Sequence, residues 1–403
     1  MQTAIPTLFM RGGSSRGPFF LASDLPSDHA TRDRVLRAVM GSPDRRQIDG
    51  LGGAHPLTSK VGIVSRSDTP GVALNFLFAQ LQPENETVDT TSNCGNMLAA
   101  VVPFALERGL IAAQSDITTV RVLTLNTNMQ CDVTVETPSI NGKRQVRYQG
   151  DTKIDGVPGT ASPITINFLD TAGSVCSSLL PTGMVQDVVR VEGKGFSSFT
   201  VAVTCIDNGM PLVLFKATDL GCTGYESVTE LNAHTELKAR IEALRIQTGY
   251  LMGLGDVTIK NYPKMTLIAP PRAGGSLCTR SFIPHVCHDA IGVLAALTVG
   301  TACVLKGSVC DGVAKINEGT TKMVSVEHPT GEFSLELRLD PVNPQNVTRA
   351  ALLRTARLIM RGEVMIPTQT WISKLITACA LAAESKDQSI SNKSKQYALG
   401  RPA

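Results

Sequence analysis

Aromatic residues are scarce in this chain of 403 residues, making up 4% with a single tryptophan, and neither charge sign dominates, since the formal net charge is +3. A nucleic-acid partner would call for a basic stripe with stacking rings, and neither exists. Ten cysteines are present, but no CxxC pair, so the spacing is neither a zinc ribbon nor a disulfide framework. Met1 to Leu8 lacks a charged segment followed by a long apolar run, so no secretory leader is expected. The most apolar uncharged stretch, Ala290 to Leu305, falls short of the roughly 20 residues that a bilayer requires. It reads as a buried helix. A reducing, cytoplasmic setting with free thiols is the expectation.

What is present is globular and duplicated. Apolar residues form 42% and charged residues 18% of the chain, and the length suits two domains. Thr7 to Met10, a glycine-rich turn and Pro18 to Leu25 are matched by Val203 to Ile206, Asp207-Asn-Gly209 and Pro211 to Leu220. Both read as a hairpin running into an aspartate that starts a helix. Gly50-Leu-Gly52 followed by Lys60 to Val64 is matched by Gly253-Leu-Gly255 followed by Lys264 to Ile268. Asn93-Cys-Gly-Asn96 is matched by Val286-Cys-His-Asp289, each ahead of an apolar helical run. Cys131 to Glu136 is matched by Phe333 to Arg338. Four matches in one order at a near-constant offset argue for two homologous halves, 1–185 and 186–371.

Period-two runs dominate and imply half-buried strands. Helices are expected at Thr31 to Met40, Met97 to Arg108, Leu231 to Thr248, Ala290 to Leu305 and Ala350 to Met360. The architecture is therefore an α/β (α+β) one, a mixed sheet wrapped on a central apolar helix, twice over. A tail, 372–403, follows; Ile372 to Ala383 has helical character, and Glu384 to Ala403 is polar and expected to be disordered.

Cys94 and Cys287 are read as opening helices, where unpaired backbone N–H groups favour thiolate and accept carboxylates. In two facing halves they would flank one cleft. Lys60 ends Pro56-Leu-Thr-Ser59-Lys60 and enters the apolar run Val61 to Val64. A lysine desolvated there would act as a general base near neutral pH. Arg11-Gly-Gly-Ser14-Ser15-Arg16-Gly17 is not a phosphate loop; it reads equally as a turn whose N–H and hydroxyl groups hold a carboxylate or as a plain tight hairpin turn. His285 and His288 flank Cys287, but the spacing matches no common zinc pattern and no metal is expected.

These residues carry a likeness. Met10-Arg-Gly-Gly-Ser-Ser-Arg-Gly17, Gln47-Ile-Asp-Gly-Leu-Gly-Gly53, Leu57-Thr-Ser-Lys60, Asn93-Cys-Gly-Asn96, Pro181-Thr-Gly183 and Arg280-Ser-Phe-Ile-Pro-His-Val-Cys-His288 resemble the 2-methylaconitate isomerase family, from about Ile5 to Trp371. Gly150 to Pro158 and Cys205 to Pro211 lean toward its 4-oxalomesaconate tautomerase branch. The resemblance implies a diaminopimelate-epimerase-like fold and a cofactor-independent proton transfer. Lys60 would be the base, Cys94 would lie across the substrate, and Cys287 would take the second helix head. Substrate would be held by Arg11, Ser14, Ser15, Ser59, Gly95, Asn96, Arg280 and His288. Met97 departs from the glycine of the racemase branch, and His288-Asp289 from its small residues, which moves weight from a two-thiol racemase to Lys60.

The implied activity is an isomerase or tautomerase acting on an unsaturated polycarboxylate, 4-oxalomesaconate first, aconitate or methylaconitate second. A non-catalytic helper of a partner enzyme is the reading of another class. The expected partner is a small polycarboxylate, with neither nucleic acid nor membrane, and the chain is expected alone or as a homodimer.

Overall fold

The computed structural model describes residues 1–91, 93–343 and 346–371; the helix expected at Ile372 to Ala383 and the polar tail lie outside them. The first half contains β1 (Gln2–Gly12), β2 (Ser15–Leu21), α1 (His29–Met40), β3 (Lys60–Arg66), β4 (Leu74–Leu81), β5 (Val88–Asp89), α2 (Gly95–Leu98), α3 (Val101–Glu107), β6 (Ile117–Thr124), β7 (Met129–Glu136), the small ribbon β8 (Ser139–Ile140) and β9 (Lys143–Arg144), and β10 (Ile164–Phe168). There follow β11 (Asp187–Val191), β12 (Phe199–Asp207), β13 (Pro211–Lys216), α4 (Val228–Ala233), α5 (Thr235–Leu251), β14 (Lys264–Ala269), β15 (Leu277–Phe282), α6 (Val293–Val304), β16 (Thr321–His328), β17 (Gly331–Leu339), β18 (Val347–Arg354), β19 (Ala356–Pro367) and α7 (Thr368–Trp371).

Strand pairing makes the duplication visible. One ladder runs β19–β1–β2–β3–β4–β6–β7–β10. The other runs β11–β12–β13–β14–β15–β16–β17–β18. Parallel pairs fall at equivalent places, β2/β3 and β4/β6 in one, β13/β14 and β15/β16 in the other. The ladders join edge to edge where β10 pairs antiparallel with β18. The last strand among the described residues completes the first half, because β19 pairs with β1 along its whole length.

Both hairpins form as their turn residues require. Gly13 closes β1 to β2 with φ of 51°, and Gly209 closes β12 to β13 with φ of 91°. Asp28 caps α1 through the Thr31 N–H, and Gly41 ends it in the left-handed region. The helix expected over Met97 to Arg108 is instead two, α2 and α3, because Pro103 has no N–H for the Ala99 carbonyl. His234 likewise separates α4 from α5, its Nδ1 accepting the Leu237 N–H. The helix expected over Ala350 to Met360 is wrong: this stretch is strand, β18 and β19. Its Ala-Leu-Leu-Arg residues favour helix, but partners on both sides of β18 use the backbone first.

Helix α6 is apolar all round, with Ala295 to Cys303 buried without interruption, as a central helix must be. Its residues and those of α2 and α3 share one core with the inner faces of both ladders. Smaller cores lie outside, one under α1 and one under α4 and α5. Each fully buried Phe or Leu there contributes about 1.5–3 kcal/mol.

Candidate active site

The two inner helices meet head to head. A β-carbon on Gly95, the first residue of α2, would lie 3.2 Å from a Val293 methyl, the first residue of α6. Their caps, Cys94 and Gly292, are extended and offer no side-chain cap to the helix. The helix expected to open at Cys287 therefore begins at Val293. The intervening residues fold back on β15: the His288 N–H donates to the Ser281 carbonyl, and Cys287 bridges to Phe282. Cys287 is 2% exposed, its N–H donates to Asn232 Oδ1, and burial pushes its thiol up to about 11. It packs in the outer core of the second half.

Lys60 heads β3 opposite Gln80 and is buried. Its Nζ donates to Gln80 Oε1 at 2.5 Å and sits 4.9 Å from the centre of the Phe78 ring. The Gln80 amide nitrogen donates to the carbonyls of Pro56, Ser59 and Leu81, so its oxygen must face the lysine. Among the described residues Lys60 has no carboxylate partner, an unusual state for a buried amine. Asn126 grips both backbone groups of Phe78 and the carbonyl of Thr90, tying the floor under Lys60 to the segment that leads to Cys94.

Cys94 is half-buried, with its N–H on Asn93 Oδ1. Asn96, two residues on, donates to Ser14 Oγ at 3.1 Å and Ser15 Oγ at 3.5 Å, so the first turn and the first helix head are one unit. Gly13 permits this approach, since a β-carbon there would lie 2.2 Å from Asn96 Oδ1. Arg11 braces the same turn through the Gly13 carbonyl and Thr355, and lines an 870 Å³ cavity with Ser14, Arg16, Tyr148 and Arg357. The segment 150–158 covers this turn: Gly156 lies over Ser14, and Asp155 reaches Gly331 of the other half.

Ser59 is fully buried and donates to Gln47 Oε1, supporting the 47–54 loop, so its hydroxyl does not face the cleft as expected. Arg280 is buried too, with Nε on the Glu226 carbonyl and Nη1 on the Thr279 carbonyl. It borders a second cavity of 620 Å³ with His328, Asp155 and Glu332. His288 accepts the Ala290 N–H at Nδ1, and burial together with Lys264 lowers its pKa.

Sequence reasoning missed several members. Lys264, the repeat partner of Lys60, stands at the head of α6, where a β-carbon on Gly292 would lie 3.7 Å from its Nζ; burial lowers its pKa. The repeat alignment was the signal for it. His328 is held down to about 4, first by burial, against the charge of Asp155 and with that of His288, Arg354 and Arg280. Arg354, in the stretch expected to be helical, gave no sequence signal. Cationic groups from both halves thus line the junction, a setting that suits a polyanion. Among the described residues no group of three or more His, Cys, Asp or Glu is placed to hold a metal ion, and no helix is long and apolar enough to cross a membrane.

Two β-rich halves, each around a central helix, define the diaminopimelate-epimerase-like fold. The profile of the PrpF protein family matches residues 2–367, and the chain belongs to that family. It is 53% identical over 361 residues to the (4E)-oxalomesaconate Delta-isomerase of Novosphingobium sp., covering 90% of this chain and 97% of that protein. It is 50% identical over 370 residues to the 4-oxalomesaconate tautomerase of Pseudomonas putida, covering 92% and 98%. A crystal structure of methylitaconate-delta-isomerase superposes with a TM-score of 0.78 at 32% identity, covering 92% of this chain and 98% of that one.

Proposed function

We propose that this protein is a cytoplasmic, cofactor-independent isomerase that shifts a proton along an unsaturated tricarboxylate. The first substrate is 4-oxalomesaconate, which places the enzyme in the breakdown of aromatic compounds; aconitate or methylaconitate is the second. The observation that carries this reading is a buried amine that has no carboxylate partner among the described residues, held beside a junction of two helix heads lined with cations. The names of two relatives at 53% and 50% identity support the first substrate.

In this reading Lys60 Nζ takes a proton from a carbon conjugated to a carboxylate or keto group. The C–H electron pair becomes a new C=C bond, the old C=C pair shifts one bond toward the carbonyl, and the carbonyl π pair moves onto oxygen as a dienolate. Backbone N–H groups and cations stabilise that charge, and such preorganised stabilisation is the main source of rate enhancement in this kind of chemistry. The oxygen pair then re-forms the carbonyl, and the displaced C=C pair takes up a proton at the far carbon of the allylic unit from Cys94 Sγ or from Lys60 Nζ. No proton is gained or lost overall.

The test is proton exchange and double-bond migration in D2O, followed by NMR with each acid. Wild-type protein should exchange deuterium into 4-oxalomesaconate, and Lys60→Met should fall by about 10²- to 10⁴-fold with its fold intact. Absence of exchange with every acid would favour the helper reading, and full activity of the Met variant would remove Lys60 from its role.

A further inference from the structure

Arg354 ends β18, beside the seam of the two ladders, and is 3% exposed. Its Nη1 donates to the carbonyl of its neighbour Leu353 at 2.8 Å, while its Nε has no hydrogen-bond partner among the described residues. Among the described residues no carboxylate pairs with it. The guanidinium lies over the Phe333 ring, 4.3 Å from its centre. Arg245, equally buried, shows what a structural arginine looks like here. Two of its nitrogens meet the Glu242 carboxylate, and Nη1 reaches the carbonyls of Val257, Lys260 and Tyr262.

A desolvated cation with an empty donor is unfavourable unless something fills it. The position says what. The Arg354 Cδ would lie 3.1 Å from a β-carbon on Gly13, in the turn that Asn96 binds. Its charge is felt by His328 of the second half, and it feels Cys94 and Glu332 in return. The Phe333 ring beneath it also packs 5.3 Å, centre to centre, from the His328 ring, so Arg354 adjoins both the Gly13 turn of one half and His328 of the other.

We propose that Arg354 is the receptor for one carboxylate of the tricarboxylate, taken on the guanidinium edge that carries Nε while Phe333 holds the plane. This rests on the isomerase reading above. A planar fork suits a carboxylate, and a lysine cannot reproduce it.

Two saturated acids that cannot react separate the outcomes: tricarballylate, with three carboxylates, and glutarate, with two. Calorimetric titration of wild-type protein should show tricarballylate bound more tightly. Arg354→Met should weaken tricarballylate by about 10- to 100-fold and leave glutarate nearly unchanged, so that the preference disappears. Arg354→Lys, which keeps the charge, should recover only part of it and answers the question if the Met variant does not fold. A variant that keeps the full preference, or weakens both acids alike as a packing defect would, overturns the assignment. Wild-type protein that binds neither acid and turns over none would instead overturn the isomerase reading itself.

Discussion

Gly17 offers a way to move the proposed base without touching its side chain. In β2 it passes so close to the start of β3 that an alanine methyl would lie 1.8 Å from the Lys60 carbonyl oxygen and 2.8 Å from its carbonyl carbon. A carbon–oxygen contact relaxes to about 3.3 Å, so relief needs a displacement of roughly 1.5 Å. The obstacle is backbone, so no rotamer change gives way. The moving atoms belong to the residue whose amine is the proposed base, and Met97 of α2 stands behind at 3.4 Å. Overpacking of this kind costs about 1–3 kcal/mol of stability, and a 1 Å misplacement of a reacting group costs about 10²-fold in rate. Gly17→Ala is therefore expected to lower both the melting temperature and, by about two orders of magnitude, turnover of 4-oxalomesaconate. Gly249→Ala is the control, since its methyl would crowd Val257 at 2.7 Å in the outer layer of the second half. It should lose stability and keep its rate. Equal losses of rate in the two variants, or a wild-type rate in Gly17→Ala, would show that placement of Lys60 is not what limits the enzyme.

Cys94→Ser should uncouple the two proton steps if the thiol delivers the second proton: deuterium exchange at the first carbon persists while product formation falls by about 10²-fold. The His328 pKa lies near 4 in the folded chain against an ordinary 6.5. The unfolded chain thus binds more protons between those values, and stability is full above pH 6.5 and declines as pH falls toward 4. The difference in melting temperature between wild type and His328→Asn should shrink over that window; a pH-independent difference would contradict the shift. Asn126→Ala strips partners from Phe78 and Thr90 and should cost about 1–3 kcal/mol in chemical denaturation, with a loss of rate besides. Iodoacetamide should modify half-buried Cys94 well before Cys287, whose thiol is buried and pushed up to about 11; mass spectrometry of partially labelled protein shows the order.

Much of the framework is legible without coordinates. The two hairpins, the two lysines heading equivalent strands and the apolar helix ahead of Leu305 can all be read from residues close together in the chain. The end of α1 at Met40 is legible as well, but the aspartate expected to start a helix, Asp24, closes a short 3-10 turn, and Asp28 caps α1 instead. At the site, Lys60, Cys94, Ser14, Ser15 and Asn96 stand out in their motifs, and hydrogen bonds join Asn96 to both serines. Other readings fail for definable reasons. Cys287 resembles a helix head because an apolar run follows it, but the backbone first folds back onto β15, and Gly292 takes the cap. Ser59 lies next to Lys60 in sequence, yet adjacent residues of an extended chain point to opposite sides, and its hydroxyl meets Gln47.

Turn chemistry, alternation and spacing are local properties, and they alone determined that this chain is a duplicated, strand-rich protein with a lysine carried into an apolar strand. Which groups share the cleft was settled by pairings between distant segments. Residues 350–360 had helical composition and became strands because edges more than 180 residues away accepted their backbones. That same seam carries Arg354 to its place between the halves. Its empty donor is a fact of burial, and burial is set by neighbours that no window of sequence contains.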